Sequence, residues 1–567
     1  MNTETNKVER RTYFLIVVIG VLLFFPYLGT VHLFDWDEIN FAEAAREMIV
    51  TGDYLTVRID YKPFHEKPPL FIQMQAVSML IFGVNEFAAR LPNAIIGIIS
   101  LLVIYHIGKK IFDFKFGLLW VLAYSGSILP NFYFKTGIID PAFNLFMFLS
   151  IYYIFRFYNE GYIKGYSSVY HVRNAAIAGL FVCLSIMTKG PVGYLLPVLT
   201  WIVFWFIRRR QIKFPRRAFI YFTLIAAIIP VTWYLMVLFF SGGDIIEDFI
   251  SYHFRLLSTE DAGHGGPVYY HFLVLFFGCF PASVIMLRSF VNYSRDRKDQ
   301  QIFKWFMIIL LAVVLIVFSI VSTKIVHYSS LAYFPITFLA AYSIHRIAFG
   351  DMLQKRSTLW LLGIVGAFWG LTLTALPLLL INADWIIPSI SDPFTREILK
   401  TPVKWGGFEY FTGIFYLIAI VIAIIFLAKK QIIKGYTILF GSTAIVMFTF
   451  LPLVASKIEQ YTQGTAIEFY KKMQGKDAYI HILDIGNYKY GHLFYSRKPP
   501  GLSSQYNSNV PEKNVKEWLL RGDIDHPAYF ITRNTRAEEY LSIPGIEKFY
   551  AKNGFVFLKR DNNSPKP

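Results

Sequence analysis

Only two cysteines, Cys183 and Cys279, occur in 567 residues, and both lie inside apolar runs. That argues against a disulfide framework, a thiolate nucleophile or a cysteine-ligated metal cluster, and leaves them as packing residues. Charge is scarce too: 16% of residues are charged against 55% hydrophobic, with a mean hydropathy of +0.45. A soluble globular chain does not carry this balance, so the sequence reads as a polytopic membrane protein. Acidic residues are in deficit, 38 Asp and Glu against 55 Lys and Arg, for a net charge of +17. The basic residues fall in short runs between apolar segments, where inner loops face anionic lipid. The excess is therefore a matter of topology, and no nucleic-acid partner is expected. Internal repeats and low-complexity segments are missing. No small-residue cleavage site follows the first apolar run, 13–28, which is read as a retained span.

A crossing needs roughly 20 apolar residues. That ruler gives about thirteen spans, near 12–28, 87–107, 116–133, 138–156, 174–190, 191–207, 218–240, 268–288, 304–321, 325–345, 358–381, 409–428 and 435–454. With the N-terminus inside, every second loop is basic: Lys109, Lys110 and Lys115; then Arg156, Lys164 and Arg173; then Arg208 to Arg210 with Lys213, Arg216 and Arg217. The series continues with Arg295, Arg297, Lys298 and Lys304, with Arg346, Lys355 and Arg356, and with Lys429, Lys430 and Lys434. Span count and orientation support each other under the positive-inside rule.

The outer segments differ in kind. The first, 29–86, is long and mixed. Within it, 38–50 places Phe41, Ala44, Ala45, Met48 and Ile49 on one helical face, and 69–82 is a second short apolar helix; both suit helices along the membrane surface. Further outer segments lie near 241–267 and 382–408. After residue 454 the chain turns polar, and an odd number of spans puts that tail outside. Runs at 478–483, 528–531 and 554–558 read as strands, and 515–520 and 537–541 as helices. The expected organisation is a transmembrane domain, 1–454, followed by a small extracytoplasmic α/β domain, 455–567.

The ionisable residues with chemical promise gather at the outer ends of these spans: Asp37, Glu38, His65, Glu66, Lys67, Asp140, Lys189, His253, Arg255, His264, Lys324 and His327. Such one-sidedness points to a site facing away from the cytoplasm. A carboxylate pair past the first span can activate a nucleophile or hold a cation, and a lysine between Glu66 and Pro68 can bind phosphate. On spacing alone these are equally well solvated interfacial charges. Asp140, before Pro141, also suits a helix N-cap, and aromatics such as Tyr269, Tyr270, Phe408 and Tyr410 suit an interfacial belt.

Read as a set, the strings carry more. Asp37-Glu38 follows the first span, Glu66-Lys67-Pro68-Pro69 stands in the same loop, and Gly83-Val84-Asn85-Glu86-Phe87-Ala88-Ala89-Arg90-Leu91-Pro92 opens the second span. This order resembles the bacterial aminoarabinose transferases and their relatives among the protein O-mannosyltransferases, membrane glycosyltransferases of the GT-C type. The resemblance is close over 29–110. It continues more weakly through 129–143, Thr188-Lys189-Gly190-Pro191, His253-Phe254-Arg255, His264-Gly265-Gly266-Pro267 and Ser322-Thr323-Lys324, and finds no motif in the C-terminal region.

The resemblance implies transfer of a sugar from a polyprenyl-phosphate carrier to an outer acceptor, with aminoarabinose transfer to lipid A the nearest activity. Another glycolipid or a protein is the alternative acceptor. A lipid-linked sugar transporter or flippase, and a scaffold or sensor, are rivals of other classes. The departing phosphate needs cations, for which Lys67, Lys189 and Arg255 are the candidates. The acceptor needs a carboxylate: Asp37 first, with Glu38 beside it and Asp140 as a second acidic position. His65, Glu66, His253 and His264 are candidates for substrate or a divalent metal, although no compact ligand spacing joins them. Lys324 and His327 complete the substrate candidates. Ile325-Val326-His327-Tyr328 departs from the family's Lys-x-Pro-x-Tyr, which touches the identity of sugar or acceptor. Expected partners are the donor, a lipid A, glycolipid or protein acceptor, and the lipids of a bacterial plasma (inner) membrane.

Overall fold

The computed structural model describes residues 3–34, 36–164, 169–210, 214–241, 251, 265–290, 295–485, 490–503 and 514–562. Helices dominate, as apolar segments must when lipid offers no partner for backbone N–H and C=O groups. Among the described residues seven are long and apolar enough to cross a membrane: Glu86–Ile111, Val172–Lys189, Arg216–Phe240, Lys298–Ile320, Arg356–Ile381, Phe411–Ala428 and Ile432–Lys472. Two bent pairs bring the number to as many as nine. Glu86–Ile111 shows the local logic. Asn85 accepts a hydrogen bond from the Ala88 amide at its start, Glu86 stands in the first turn, and Lys109 and Lys110 stand in the last, matching caps and helix dipole. Arg216–Ser241 and Arg356–Ile381 expose Leu224, Ile228, Leu235, Trp360, Ile364 and Leu371, a surface suited to lipid.

The uninterrupted span expected at 116–133 is broken. Helix Phe114–Ser125 stops at Gly126, where a Cβ would stand 2.5 Å from that of Phe440. The chain resumes as Ile128–Phe132 and a 3-10 turn, Tyr133–Lys135, then turns by 120° into Asp140–Lys164. Freed carbonyls in such a break must find partners inside the protein. Asn131 donates to Ser125 O at 2.6 Å, and Asn93 donates to Thr136 O and Ile138 O at 2.7 and 2.6 Å. Gln75 donates to Gly137 O at 3.2 Å. The segment expected at 268–288 is likewise two helices, Tyr270–Gly278 and Ala282–Phe290, meeting at 107°. At 325–345 the chain enters as a 3-10 turn, Val326–Ala332, before helix Tyr333–Phe349.

Two ends of the bundle are distinct. At one, Glu9 pairs with Lys109 at 2.5 Å, His345 Nε2 stands 2.8 Å from Asp113, and Arg346 pairs with Asp296. These contacts gather the N-terminal helix and three of the basic loops. Asp37 and Asp140 begin helices at the opposite end.

Helix Asp37–Thr51 does not lie on a surface with one face covered. Residues 38–48 are all buried, because its polar side finds partners too. Arg46 donates to both Glu43 oxygens at 2.7 and 2.6 Å, to Tyr61 Oη at 3.2 Å and to Lys498 O at 3.1 Å. The Tyr61 amide donates to Glu47 at 2.8 Å. Tyr61 turns inward from a small hairpin, β1 (Arg58–Ile59) with β2 (Lys62–Pro63). More links run from this loop to the far end of the chain: Leu33 N donates to Tyr495 Oη at 2.7 Å, Gln463 donates to Leu33 O at 2.9 Å, and His32 pairs with Glu459 at 3.0 Å.

The helix entering the C-terminal region, Ile432–Lys472, is continuous for 41 residues and turns π-helical at Leu451–Ala455 and Gln460–Gly464. The boundary expected at residue 454 thus falls inside one helix. Beyond it four strands form a sheet: β3 (Tyr479–Ile482), β4 (Ala528–Arg533), β5 (Ile546–Lys552) and β6 (Phe555–Arg560), in the order β3-β4-β6-β5. β3 and β4 are parallel; the other pairings are antiparallel. One sheet face buries Tyr479, Phe530 and Leu558 against Leu519 and Tyr540 from helices Val515–Arg521 and Ala537–Leu541. On the other face Phe557 meets Phe469 at 4.6 Å and joins the main core.

Candidate active site

Four sequence candidates converge at helix ends. Asp37 opens helix Asp37–Thr51, Asp140 opens Asp140–Lys164, Lys189 closes Val169–Lys189, and His327 stands in the 3-10 turn Val326–Ala332. Lys189 Nζ donates to Asp140 Oδ1 at 2.6 Å. His327 Nε2 lies 3.2 Å from Asp37 Oδ2 and 3.7 Å from Asp140 Oδ2, so the imidazole bridges the carboxylates. Its neighbour Tyr328 lies under Lys189, with Nζ 4.8 Å from the ring centroid, and Phe143 flanks the same ammonium at 5.7 Å. The chain Lys189–Asp140–His327–Asp37 thus alternates basic and acidic groups from four separate elements.

Asp37 and Asp140 are not equivalent. Asp140 is 2% exposed and tied to Lys189; Asp37 keeps 28% of its side chain exposed. Burial pushes the Asp37 carboxyl upward, but the His327 hydrogen bond and charge, with Lys67 and Lys189, outweigh it and hold Asp37 down at about 2. Lys67 therefore acts on Asp37 across the first loop, although the two are thirty residues apart. His65, Glu66 and Lys67 are all half-buried, where the loop turns into helix Leu70–Phe82.

Glu38 faces elsewhere. Its oxygens accept from Arg90 Nε at 2.7 Å and Arg90 Nη2 at 2.8 Å, from Phe34 N at 2.8 Å and from Gly137 N at 2.5 Å. Arg90 in turn donates to Leu28 O, Val31 O and His32 O at 2.7, 2.6 and 3.0 Å. One buried ion pair thus ties the exit of the first helix, the start of Asp37–Thr51 and the Gly137 bend, and so sets Asp37 and Asp140 relative to each other. Lys324 is also engaged: its Nζ donates to Phe318 O, Ser319 O and Val321 O at 3.0, 2.8 and 2.5 Å, capping helix Lys298–Ile320. His253, Arg255 and His264 lie outside the described residues. Among the described residues, no group of three His, Cys, Asp or Glu is placed to hold a metal.

Sequence reading missed the role of Arg90, although it stands in the string that opens the second span. Its signal was a charge near the start of an apolar helix, which must face protein. The buried charges Glu43, Arg46 and Glu47 had no such signal, because their spacing also suits a solvated helix face.

Comparison with known proteins places this geometry in context. Residues 66–234 match the dolichyl-phosphate-mannose-protein mannosyltransferase family. The undecaprenyl phosphate-α-4-amino-4-deoxy-L-arabinose arabinosyl transferase of Wigglesworthia glossinidia brevipalpis is 24% identical over 377 residues, 66% of this chain. The match spans 65% of that relative's length. The crystal structure of ArnT from Cupriavidus metallidurans bound to undecaprenyl phosphate superposes with a TM-score of 0.73 at 17% identity, over 96% of this chain and 97% of that one. Its apo form gives 0.75 at 17% identity, over 99% and 100%. The chain shares the GT-C fold of ArnT from end to end.

Proposed function

We propose that this protein is an integral membrane glycosyltransferase that moves a sugar from a polyprenyl-phosphate carrier to an acceptor outside the cytoplasm, with aminoarabinose as the sugar and lipid A as the acceptor. The observation that carries this reading is the convergence of Asp37, Asp140, Lys189, His327 and Lys67 at one end of the bundle. The names of the relatives and the carrier bound to ArnT support the donor class. A site confined to one end also fits transfer better than transport, since transporters place polar sites near the midplane.

In the proposed reaction an acceptor oxygen forms a bond to the anomeric carbon as the bond from that carbon to the carrier phosphate breaks. The electron pair leaves with the phosphate, and cations lower the barrier by meeting that charge. Lys67 and Lys189 are assigned this work, with Arg255 as a third candidate. Asp37 faces the acceptor. A carboxylate held at about 2 is a weak base at neutral pH, which favours an acceptor oxygen already ionised, as in a phosphate, with Asp37 holding in place the His327 and Lys67 side chains that would meet it. Asp140 fixes Lys189 and His327. His65 and Glu66, beside Lys67, are proposed substrate contacts, and His253 and His264 keep that assignment from sequence. Glu38 and Lys324 serve by placing the elements around them.

The reading includes a bacterial plasma-membrane location with about thirteen spans, the N-terminus inside, and residues 455–567 forming an extracytoplasmic α/β domain. Alternating basic loops and the four-stranded sheet support it. The test is direct. Purified protein given undecaprenyl-phosphate aminoarabinose and lipid A should release undecaprenyl phosphate and add one aminoarabinose mass to lipid A. Release with no gain on lipid A, or on glycolipid and protein acceptors offered in turn, would overturn transfer.

A further inference from the structure

Lys135 ends the short 3-10 turn of the broken segment, five residues before Asp140. Its side chain is 2% exposed, and its ammonium has no hydrogen-bond partner. The ammonium stands over the Phe448 ring, 4.9 Å from its centroid. Phe448 is half-buried and meets the ring of Tyr27 at 5.3 Å, edge to face. Tyr27 is 41% exposed, so Phe448, with Tyr27 against it, separates this cation from the surface. Phe132, three residues before it, belongs to an apolar cluster with Val31, Leu451 and Ala455. The last two bound the π-helical turn Leu451–Ala455, and π-turns inside α-helices gather at functional sites.

A buried ammonium with no acceptor is among the least favourable arrangements a protein holds, and inside a membrane protein it marks a pathway or a ligand. Methionine or leucine would fill the same volume without that cost. Lys135 lies apart from the cations of the donor side. Lys189 pairs with Asp140 and Lys67 acts on Asp37, whereas Lys135 meets Phe448, at the seam between the exit of the first helix and the helix carrying Phe448. Its backbone nevertheless belongs to the bend that holds the site, since the Gly137 amide, two residues on, donates to Glu38.

We propose that Lys135 is a binding site for the phosphate of a membrane lipid, entered from that seam by displacement of Phe448. Resting on the transferase reading, this lipid is the acceptor, held by a phosphate while its reactive oxygen reaches Asp37. The full chain thus carries two lipid-phosphate sites, Lys67 with Lys189 for the donor and Lys135 for the acceptor.

The experiment uses the full-length enzyme in detergent with dihexanoyl phosphatidic acid as the probe, binding being read by native mass spectrometry. Wild-type protein should hold two probe molecules. Lys135→Met should weaken one site at least tenfold, Lys67→Met the other, and Lys135→Arg should retain both. Phe448→Ala should speed binding at the Lys135 site. In turnover, Lys135→Met should raise the acceptor KM at least tenfold and leave the donor KM within twofold, a split that a merely structural role would not produce. Lys135→Met should also unfold at the wild-type temperature or above, since it removes an unpaired buried charge. Equal probe binding by wild type and Lys135→Met would overturn the proposal. Inorganic phosphate displacing the probe at equal concentration would overturn the lipid assignment. Two probe sites without any sugar transfer would leave this site standing and remove the transferase reading instead.

Discussion

Asp37 and Glu38 are consecutive in one helix, so their side chains leave it roughly 100° apart, and that rotation separates their roles. Asp37 meets His327 and remains partly open, while Glu38 is enclosed by Arg90 and two amides. Asp37→Asn removes the charge that positions His327 and Lys67 and should lower turnover about a hundredfold with the protein still folded. The carboxyl is held at about 2 in the folded protein, below its ordinary value of 3.8. Its ionised form therefore contributes stability above pH 3.8, and this is lost as pH falls toward 2. No acid limb of the rate profile above about pH 4 should then belong to Asp37, and any limb between pH 5 and 7 should persist in the residual activity of Asp37→Asn. Loss of that limb in the variant would return Asp37 to the role of general base. Glu38→Gln should act on stability, because it leaves the Arg90 guanidinium buried without its counter-ion, at about 3–5 kcal/mol. Thermal unfolding in detergent checks it. Sequence put Asp37 first through the resemblance, but what encloses Glu38 was not legible, since its partner Arg90 is 52 residues away.

Helix Asp37–Thr51 shows where pattern reading succeeds and where it stops. Phe41, Ala44, Ala45 and Met48 announce an apolar face and are buried. Glu43, Arg46 and Glu47 announce a wet one and are buried as well, because Tyr61 and the Lys498 carbonyl arrive from parts of the chain that no helical period reports. Burial, then the nearby Glu43 charge, raises the Glu47 carboxyl to about 9 from its ordinary 4.5. The stability tied to its protonated form is complete below pH 4.5 and is lost as pH rises through about 9. Glu47→Gln mimics the protonated acid, so it should leave stability near pH 4 unchanged and flatten its decline between pH 5 and 9. Chemical denaturation across that range measures it; a parallel decline in both proteins would refute the assignment. The break after Ser125 was hidden for a related reason. Residues 116–133 are apolar enough to span, and what stops the helix is the close approach of Phe440 to Gly126.

At the scale of the whole molecule, composition and basic loops pointed to a chain of many membrane spans, and the spaced strings of the first loop named Asp37 and Lys67, which the fold brings to one end of the bundle. The runs near 478, 528 and 554 read as strands are strands, while β5, Ile546–Lys552, was not read. The merging of the last span with the C-terminal region was not legible, because a helix that leaves lipid turns polar without ending. The proposed orientation is tested by labelling. Cys183 and Cys279 are buried and should stay silent, while cysteines at the exposed positions Ser251 and Lys548 should react with an impermeant reagent in spheroplasts. One at exposed Lys298 should react only after the membrane is opened. Gln300 would be a poor choice on that side, being buried against the Ile111 carbonyl.

The ties between the first loop and the end of the chain bear on how the protein is made. Leu33 is bonded to Tyr495, Arg46 and Tyr61 to the Lys498 carbonyl, and His32 to Glu459, partners separated by more than 420 residues. The loop bearing Asp37 and Lys67 is synthesised early, yet its supports, residues 459–498, emerge only after the intervening helices. During that interval Arg46 lacks the Lys498 carbonyl, and the end of the bundle that holds Asp37 is completed only once residues 459–498 are made. Under the proposed function, a nascent chain should therefore be inert toward lipid-linked sugar until residues 459–498 have joined the first loop.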